Sequence, residues 1–367
     1  MLVAIDPRMK TTPLLRPASV ALLAVAALTL PVLHGSGPAA RPARRAAAPA
    51  RPAHPIHGSV ERYDAAMDAL VAPGVQMERL ATGFNWSEGP TWLHRERAVV
   101  FSDVPENVIH RWSERDGLTQ YLRPSGYTGQ ALEFNEQGSN GLTTDAAGRL
   151  VICQHGDRRI SRWEPGRGFT PLVSLVDGRR FNSPNDLVFD RGGNLYFTDP
   201  PYGLKGGNES ASKELVANGV YLLRRNGRAQ LLSSAMTFPN GIALSPDERT
   251  LYVNQSDPKA PIIKSFPVLP DGTVGEGRVF FDTTRLMERG LKGLPDGLKV
   301  DERGNLWATG PGGVLVISPE GRLLGLLNTG EATGNCCWGD DGSTLYITAD
   351  MHLLRIRTQT KGYGFRR

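Results

Sequence analysis

The chain has 367 residues, of which 40% are hydrophobic and 22% charged, a composition that permits a sizeable core and excludes wholesale disorder. Its 42 glycines and 27 prolines favour many short elements joined by tight turns over long helices. The net charge of +5 comes from the first 57 residues, and the remainder carries 35 basic and 36 acidic side chains. A nearly neutral body argues against a nucleic-acid partner.

The first 34 residues have the pattern of an export signal. Lys10 and Arg16 precede the apolar run from Val20 to Leu33, and small residues follow it. We therefore expect an exported protein, periplasmic or extracellular. The run is shorter than the ~20 residues of a membrane-spanning helix, so no stable span is expected after cleavage, and an uncleaved anchor is the alternative. Residues 35–58, rich in Ala, Pro and Arg, predict a disordered linker.

A hairpin-like unit recurs through residues 59–367 and predicts the fold. Its copies include "SNGLTTDAAGRLVICQHG", "SPNDLVFDRGGNLYFTDP", "FPNGIALSPDERTLYVNQSD" and "LPDGLKVDERGNLWATGP". Each has an apolar stretch, a turn rich in Asp and Gly, and a second apolar run, as expected of two antiparallel strands. The copies follow one another at the spacing of propeller blades. We predict an all-β domain, a six-bladed β-propeller with four-stranded antiparallel blades.

Equivalent positions in the six copies carry an oxygen-bearing side chain at the start of the first strand. These positions are Glu88, Asn140, Asn185, Asn240, Asp296 and Asn335. If the first strand is innermost, the six side chains form a ring of oxygens, which suits a hard divalent cation. Ordinary turn chemistry is the alternative, and we keep it for Asn140 and Asn335, which lack a preceding proline.

The ends of the second strands should lie at the same end of the blades. His155 and Asp199 occupy these ends, and Tyr202 follows in the "DPPYG" turn. We consider all three as substrate-binding residues. The alternatives are a structural histidine and an aspartate that caps a turn.

Several stretches resemble the senescence marker protein, gluconolactonase and luciferin-regenerating enzyme family. They are "SEGPTW", "SPNDLVFD", "YFTDPPYGL", "FPNGIALSPDERTLYV" and "LPDGLKVD", in collinear order within residues 75–355. The resemblance implies a six-bladed propeller that binds one divalent cation, commonly Ca²⁺, with Mg²⁺, Mn²⁺ or Zn²⁺ as alternatives. It also implies hydrolysis of small-molecule lactones such as gluconolactone.

Carried over by position, Glu88, Asn240 and Asp296 match metal ligands, and Asn185 matches a metal- or substrate-binding asparagine. Asp296 also matches the proposed general base. Ser183 occupies a substrate-binding position where some members carry an arginine that holds sugar hydroxyls. This departure argues against a fixed preference for aldonolactones.

The chemistry of such a ring is compatible with lactone opening, because a cation polarises a carbonyl and activates water while Asp296 accepts the proton. No G-x-S-x-G elbow for a serine nucleophile occurs. Two other functions remain open: a non-catalytic propeller that binds a ligand or protein and holds a structural cation, and an esterase or phosphotriesterase that uses the same cation.

Overall fold

A computed structural model describes residues 54–130 and 134–365. The predicted export signal and most of the predicted linker lie outside these residues. The last linker residues contact the folded body: His57 donates its backbone N–H to Met77, and Ile56 forms a bridge with Glu78. No helix within the described ranges is long and apolar enough to cross a membrane.

The described chain is almost entirely β-structure, interrupted by short 3-10 segments at Ala65–Ala69 and Gly207–Glu209 and one helical turn, α1, at Thr284–Met287. Two strands, β1 (Ser59–Arg62) and β2 (Glu78–Thr82), come first. The first two complete sheets are β3 (Ser87–Leu93), β4 (Ala98–Asp103), β5 (Val108–Ser113) and β6 (Gly117–Leu122), then β7 (Ser139–Thr144), β8 (Leu150–Gln154), β9 (Arg159–Glu164) and β10 (Gly168–Val173). A two-stranded ribbon, β11 (Leu175–Val176) and β12 (Arg179–Arg180), follows.

Four-stranded sheets also make up the rest of the fold. The third is β13 (Leu187–Phe189), β14 (Leu195–Asp199), β15 (Gly219–Leu223) and β16 (Ala229–Ser233), and the fourth is β17 (Pro239–Leu244), β18 (Thr250–Gln255), β19 (Ile262–Pro267) and β20 (Arg278–Asp282). The fifth contains β21 (Leu298–Val300), β22 (Leu306–Gly310), β23 (Gly313–Ile317) and β24 (Leu323–Asn328), with β1 added to its edge. The sixth contains β25 (Thr333–Gly339), β26 (Thr344–Ala349) and β27 (His352–Arg357), and its outer strand is β2.

All strands within these six sheets pair antiparallel, and the innermost strand of each sheet contacts that of the next, with β25 contacting β3. The predicted six-bladed β-propeller is thereby confirmed. The pairing of β2 with β27 joins the beginning of the domain to its end. Buried clusters lie between neighbouring blades: Tyr196 and Leu222 of the third blade pack with Val253 and Phe266 of the fourth.

The turn between the first two strands of a blade has a sequence-encoded geometry. Asp145, Asp190 and Asp301 each accept a backbone N–H from the residue four positions later, through the first carboxylate oxygen. A glycine with positive φ stands three positions after each aspartate, at Gly148, Gly193 and Gly304. Because glycine adopts this conformation without a steric penalty, the Asp-x-x-Gly spacing fixes where each hairpin reverses.

All three cysteines, Cys153, Cys336 and Cys337, are buried and unbridged. They pack as small apolar side chains, and no disulfide holds the fold together within the described residues.

Candidate functional site

The six equivalent positions form a central ring at the mouth, the end of the propeller axis at which the inner strands begin. Glu88, Asn140, Asn240 and Asn335 lie in β3, β7, β17 and β25, while Asn185 and Asp296 lie two residues before β13 and β21. The turn interpretation of Asn140 and Asn335 is therefore wrong, because both belong to strands. Strand pairing is irregular beside all four strand members, and such bulges redirect side chains.

Glycines after the ring positions allow the inner strands to approach each other. Gly141 donates its N–H to the carbonyl of Asn185 at 2.7 Å, and Gly241 donates to the carbonyl of Asp296 at 2.9 Å. A Cβ added at Gly241 would lie 2.2 Å from that carbonyl oxygen, closer than atoms can pack. The Asn-Gly pairs thus close the ring rather than form turns.

The two carboxyl groups of the ring meet at its centre. Glu88 is 1% exposed, and its carboxyl group approaches that of Asp296 within hydrogen-bonding distance. Burial raises the pKa of Glu88 to about 7, and burial together with the adjacent Glu88 raises the pKa of Asp296 well above its usual range. Two carboxylates this close cannot both ionise easily without a positive partner.

Amide side chains complete this part of the ring. Asn185 donates from Nδ2 to Oδ1 of Asn240 at 2.5 Å, and Asn240 donates from Nδ2 to the Ser256 hydroxyl at 2.9 Å. The Ser256 hydroxyl donates in turn to the carbonyl of Pro295. The buried Oδ1 of Asn185 has no hydrogen-bond partner in the described ranges, although buried polar atoms are normally paired.

A second layer, which the sequence analysis missed, lies beneath the carboxyl pair. Asn335 donates to Asp186 at 3.3 Å, Lys299 Nζ lies 3.7 Å from the same Asp186 oxygen, and Lys299 donates to Asn335 at 3.1 Å. The negative charge of Asp186 opposes ionisation of Glu88, whereas Asn335 and Lys299 favour it. Two features of the sequence indicate this layer. Asp186 follows the ring residue Asn185 at a position where four of the other copies have glycine, and Lys299 is the one charged residue in the otherwise apolar strand β21.

Two of the predicted substrate-binding residues make hydrogen bonds that hold a turn at the mouth. Asp199 accepts the backbone N–H of Asn182 at 2.8 Å, as Asp103 accepts that of Trp86 in the first blade. Ser183 donates to the carbonyl of Pro200 at 2.6 Å and accepts the N–H of Gly203 at 2.9 Å. Together these contacts hold the "DPPYG" turn in position at the mouth.

That turn presents the remaining candidates and one unpredicted acid. Tyr202 stacks on Phe238 with 6.0 Å between ring centroids, and burial, followed by the charge of Asp296, raises the pKa of Tyr202. His155 is fully buried, and its Nδ1 lies 3.4 Å from Oε2 of Glu136, a residue outside the repeat pattern. The charge of Glu136 also raises the pKa values of Asp296 and Tyr202.

The donor set fits a hard divalent cation. No group of three or more His, Cys, Asp or Glu side chains suited to a metal occurs among residues 54–130 and 134–365, so a cation here would require amide oxygens as well as carboxylates. Glu88, Asp296, Asn240 and the unpartnered Asn185 oxygen supply both kinds. Hard oxygen ligands with two negative charges suit Ca²⁺ and related ions.

The raised carboxyl pKa values predict an unusual pH dependence of the cation-free protein. A carboxyl group whose pKa is higher in the folded state stabilises that state below its unfolded pKa and loses this contribution as pH rises through the folded pKa. For Glu88, with a pKa raised from 4.5 to about 7, the loss is about 3 kcal/mol between pH 4.5 and pH 8.

We therefore expect Glu88→Gln, which cannot ionise, to gain thermal stability relative to the wild type as pH rises. The measurement is the difference in Tm between the two proteins from pH 5 to pH 8 in the presence of a chelator. A difference that stays constant across this range would contradict the burial of an ionisable Glu88.

Comparison with known proteins identifies the family. Residues 86–350 match the SMP-30/Gluconolactonase/LRE-like region. The chain belongs to this family. Among its members, the gluconolactonase of Zymomonas mobilis subsp. mobilis is 39% identical over 312 residues, which cover 83% of this chain and 87% of that protein. The resemblance noted from the sequence is thereby confirmed.

Solved structures of related proteins share the architecture of this family member. A gluconolactonase from Xanthomonas campestris superposes with a TM-score of 0.72 at 32% identity, covering 84% of this chain and 99% of that chain. A calcium-binding regucalcin from Agrobacterium tumefaciens gives a TM-score of 0.60 at 21% identity, covering 77% and 92%, respectively. The second similarity concerns the fold alone.

Proposed function

We propose that this protein is a lactone-hydrolysing enzyme of the gluconolactonase type that uses one divalent cation at the central ring. The observation that carries the proposal is the meeting of Glu88 and Asp296 beside Asn185 and Asn240 at one end of the propeller. Gluconolactonases among its relatives support the lactone substrate, and the carboxylate and amide oxygens of the ring support a hard divalent cation such as Ca²⁺.

The ring residues have distinct tasks in this proposal. Glu88, Asn185, Asn240 and Asp296 would hold the cation, which when bound polarises the lactone carbonyl and makes a water more acidic. Asp296, the only ring carboxylate that is partly exposed, takes the proton from the attacking water. Lys299 and Asn335 favour the ionised form of Glu88 against the effect of burial, and this is the form that would hold the cation. Tyr202 and Phe238 form an aromatic wall for the substrate ring.

The test is an assay of protein purified in chelator and then supplied with Ca²⁺, Mg²⁺, Mn²⁺ or Zn²⁺ separately. The panel contains glucono-1,5-lactone, an unsubstituted aliphatic lactone, an aryl ester and a phosphotriester, with spontaneous hydrolysis subtracted. We expect lactone hydrolysis that chelation abolishes and one ion restores. Full activity after verified removal of the ion would contradict the role of the cation. Turnover confined to the aryl ester or phosphotriester would contradict the lactone assignment.

A further inference from the structure

Glu136 is an acidic side chain at the mouth that the proposed reaction does not use. It lies in the segment before β7, and 31% of its side chain is exposed. Its carboxylate pairs with His155 at 3.4 Å, and no lysine or arginine in the described part of the chain forms an ion pair with it. A partly exposed carboxylate without a lysine or arginine partner at the mouth can accept hydrogen bonds from a ligand and repel a negatively charged one.

His155 beside it is built into the wall of the site. The imidazole is completely buried, yet neither ring nitrogen makes a hydrogen bond among the described residues. A Cβ added at Gly203 would lie 2.8 Å from the His155 Cβ and 3.1 Å from the Glu136 carbonyl oxygen, so the "DPPYG" turn packs directly against this pair. Buried polar atoms are normally hydrogen-bonded, and a hydroxyl group of a ligand beside Glu136 can supply the partner that His155 lacks.

The charges of the site single out Glu136. Lys299 lies 3.7 Å from Asp186 and compensates its charge. The two charges of Glu88 and Asp296 match those of one divalent cation. Glu136 therefore remains without a lysine or arginine partner in the described part of the chain, and its negative charge raises the pKa values of Asp296 and Tyr202.

We propose that Glu136, held beside His155, selects the substrate: it accepts hydrogen bonds from hydroxyl groups of a neutral polyhydroxylated lactone and repels lactones that carry phosphate or sulfonate. This inference rests on the proposed function for its biological meaning. The selection itself is a property of small-molecule binding at the mouth and does not require turnover. Unreactive ligands can therefore test it separately.

The experiment compares D-glucitol with D-glucitol 6-phosphate as unreactive probes, in titrations of the wild type and Glu136→Gln followed by NMR at fixed ionic strength and pH. We expect the wild type to bind the neutral polyol more tightly. Glu136→Gln should bind the phosphate on the order of tenfold more tightly than the wild type does, because one repulsive charge is gone. Its affinity for the neutral polyol should fall a few-fold.

Glu302→Gln is the matched control, since it removes the same charge from an exposed turn at the opposite end of the propeller. This control should leave the ratio of the two affinities unchanged. An equal ratio in wild type and Glu136→Gln would overturn the inference even if the protein is an active lactonase. A changed ratio in a protein that hydrolyses no lactone would sustain the selection and refute the proposed function.

Discussion

Asp296→Asn is expected to lower kcat for lactone hydrolysis by a factor of at least ~10²–10⁴, the usual contribution of a general base. The substitution keeps the shape of the side chain and one carbonyl-type oxygen for the cation but removes the proton acceptor. Asp296 is partly exposed and touches Glu88, so a proton that it accepts can leave toward solvent. The measurement is kcat at saturating lactone and saturating cation, with bound ion determined on the same sample.

Asp271→Asn provides a control for this substitution, because Asp271 lies in an exposed turn between β19 and β20 and its carboxylate accepts hydrogen bonds from the neighbouring Thr273. It should retain wild-type turnover. Near wild-type kcat in Asp296→Asn, with the ion still bound, would refute the assignment of Asp296 as the base.

Glu88→Gln should weaken cation binding by about tenfold to hundredfold or more, since even residues that only support metal ligands have effects of this size. Glu88 is the most deeply buried acid of the ring, and its neutral form is already favoured by burial. Removal of its charge should therefore reduce activity without lowering the Tm of the cation-free protein. Calorimetric titration with Ca²⁺ and lactonase assays over a range of Ca²⁺ concentrations measure the two effects.

The same variant distinguishes an enzyme from a non-catalytic propeller with a structural ion. Lost activity without a loss of Tm, with the activity partly restored by excess cation, fits an enzyme. Glu302→Gln, which removes a charge far from the ring, should alter neither quantity. A lower Tm with no change in lactone turnover would instead favour a cation that only stabilises the fold.

The fold could be predicted because its determinants are local and repeated. Each hairpin carries its own reversal signal, such as Asp190 followed by Gly193, and its own alternation of apolar residues. One copy of the hairpin pattern is a weak signal, but six copies at the spacing of propeller blades are compatible with few architectures other than a propeller. The ring position followed from the same repetition, since equivalent residues occupy equivalent places around an axis.

The surroundings of the ring depend on contacts between distant parts of the chain and were not predicted. Asp186 and Asn335 meet across 149 positions of sequence, and no local pattern brings them together. Glu136 belongs to a loop without counterparts in the other blades. Departures from the repeat, as at Asp186 and Lys299, were the available signal, because a charge at a position that is uncharged in the other copies demands a partner when it is buried.

The pairing of β2 with β27 has a consequence for the order of folding. Glu78 of β2 pairs with Arg355 of β27. The outer strand of the sixth blade is therefore separated in sequence from the other three strands by almost the whole domain. The entropy cost of joining segments grows with the length of chain between them, and blades made of adjacent hairpins can form earlier. A polypeptide emerging from the ribosome therefore holds β2 without its partner until β27 has been synthesised, and the ring of blades closes last.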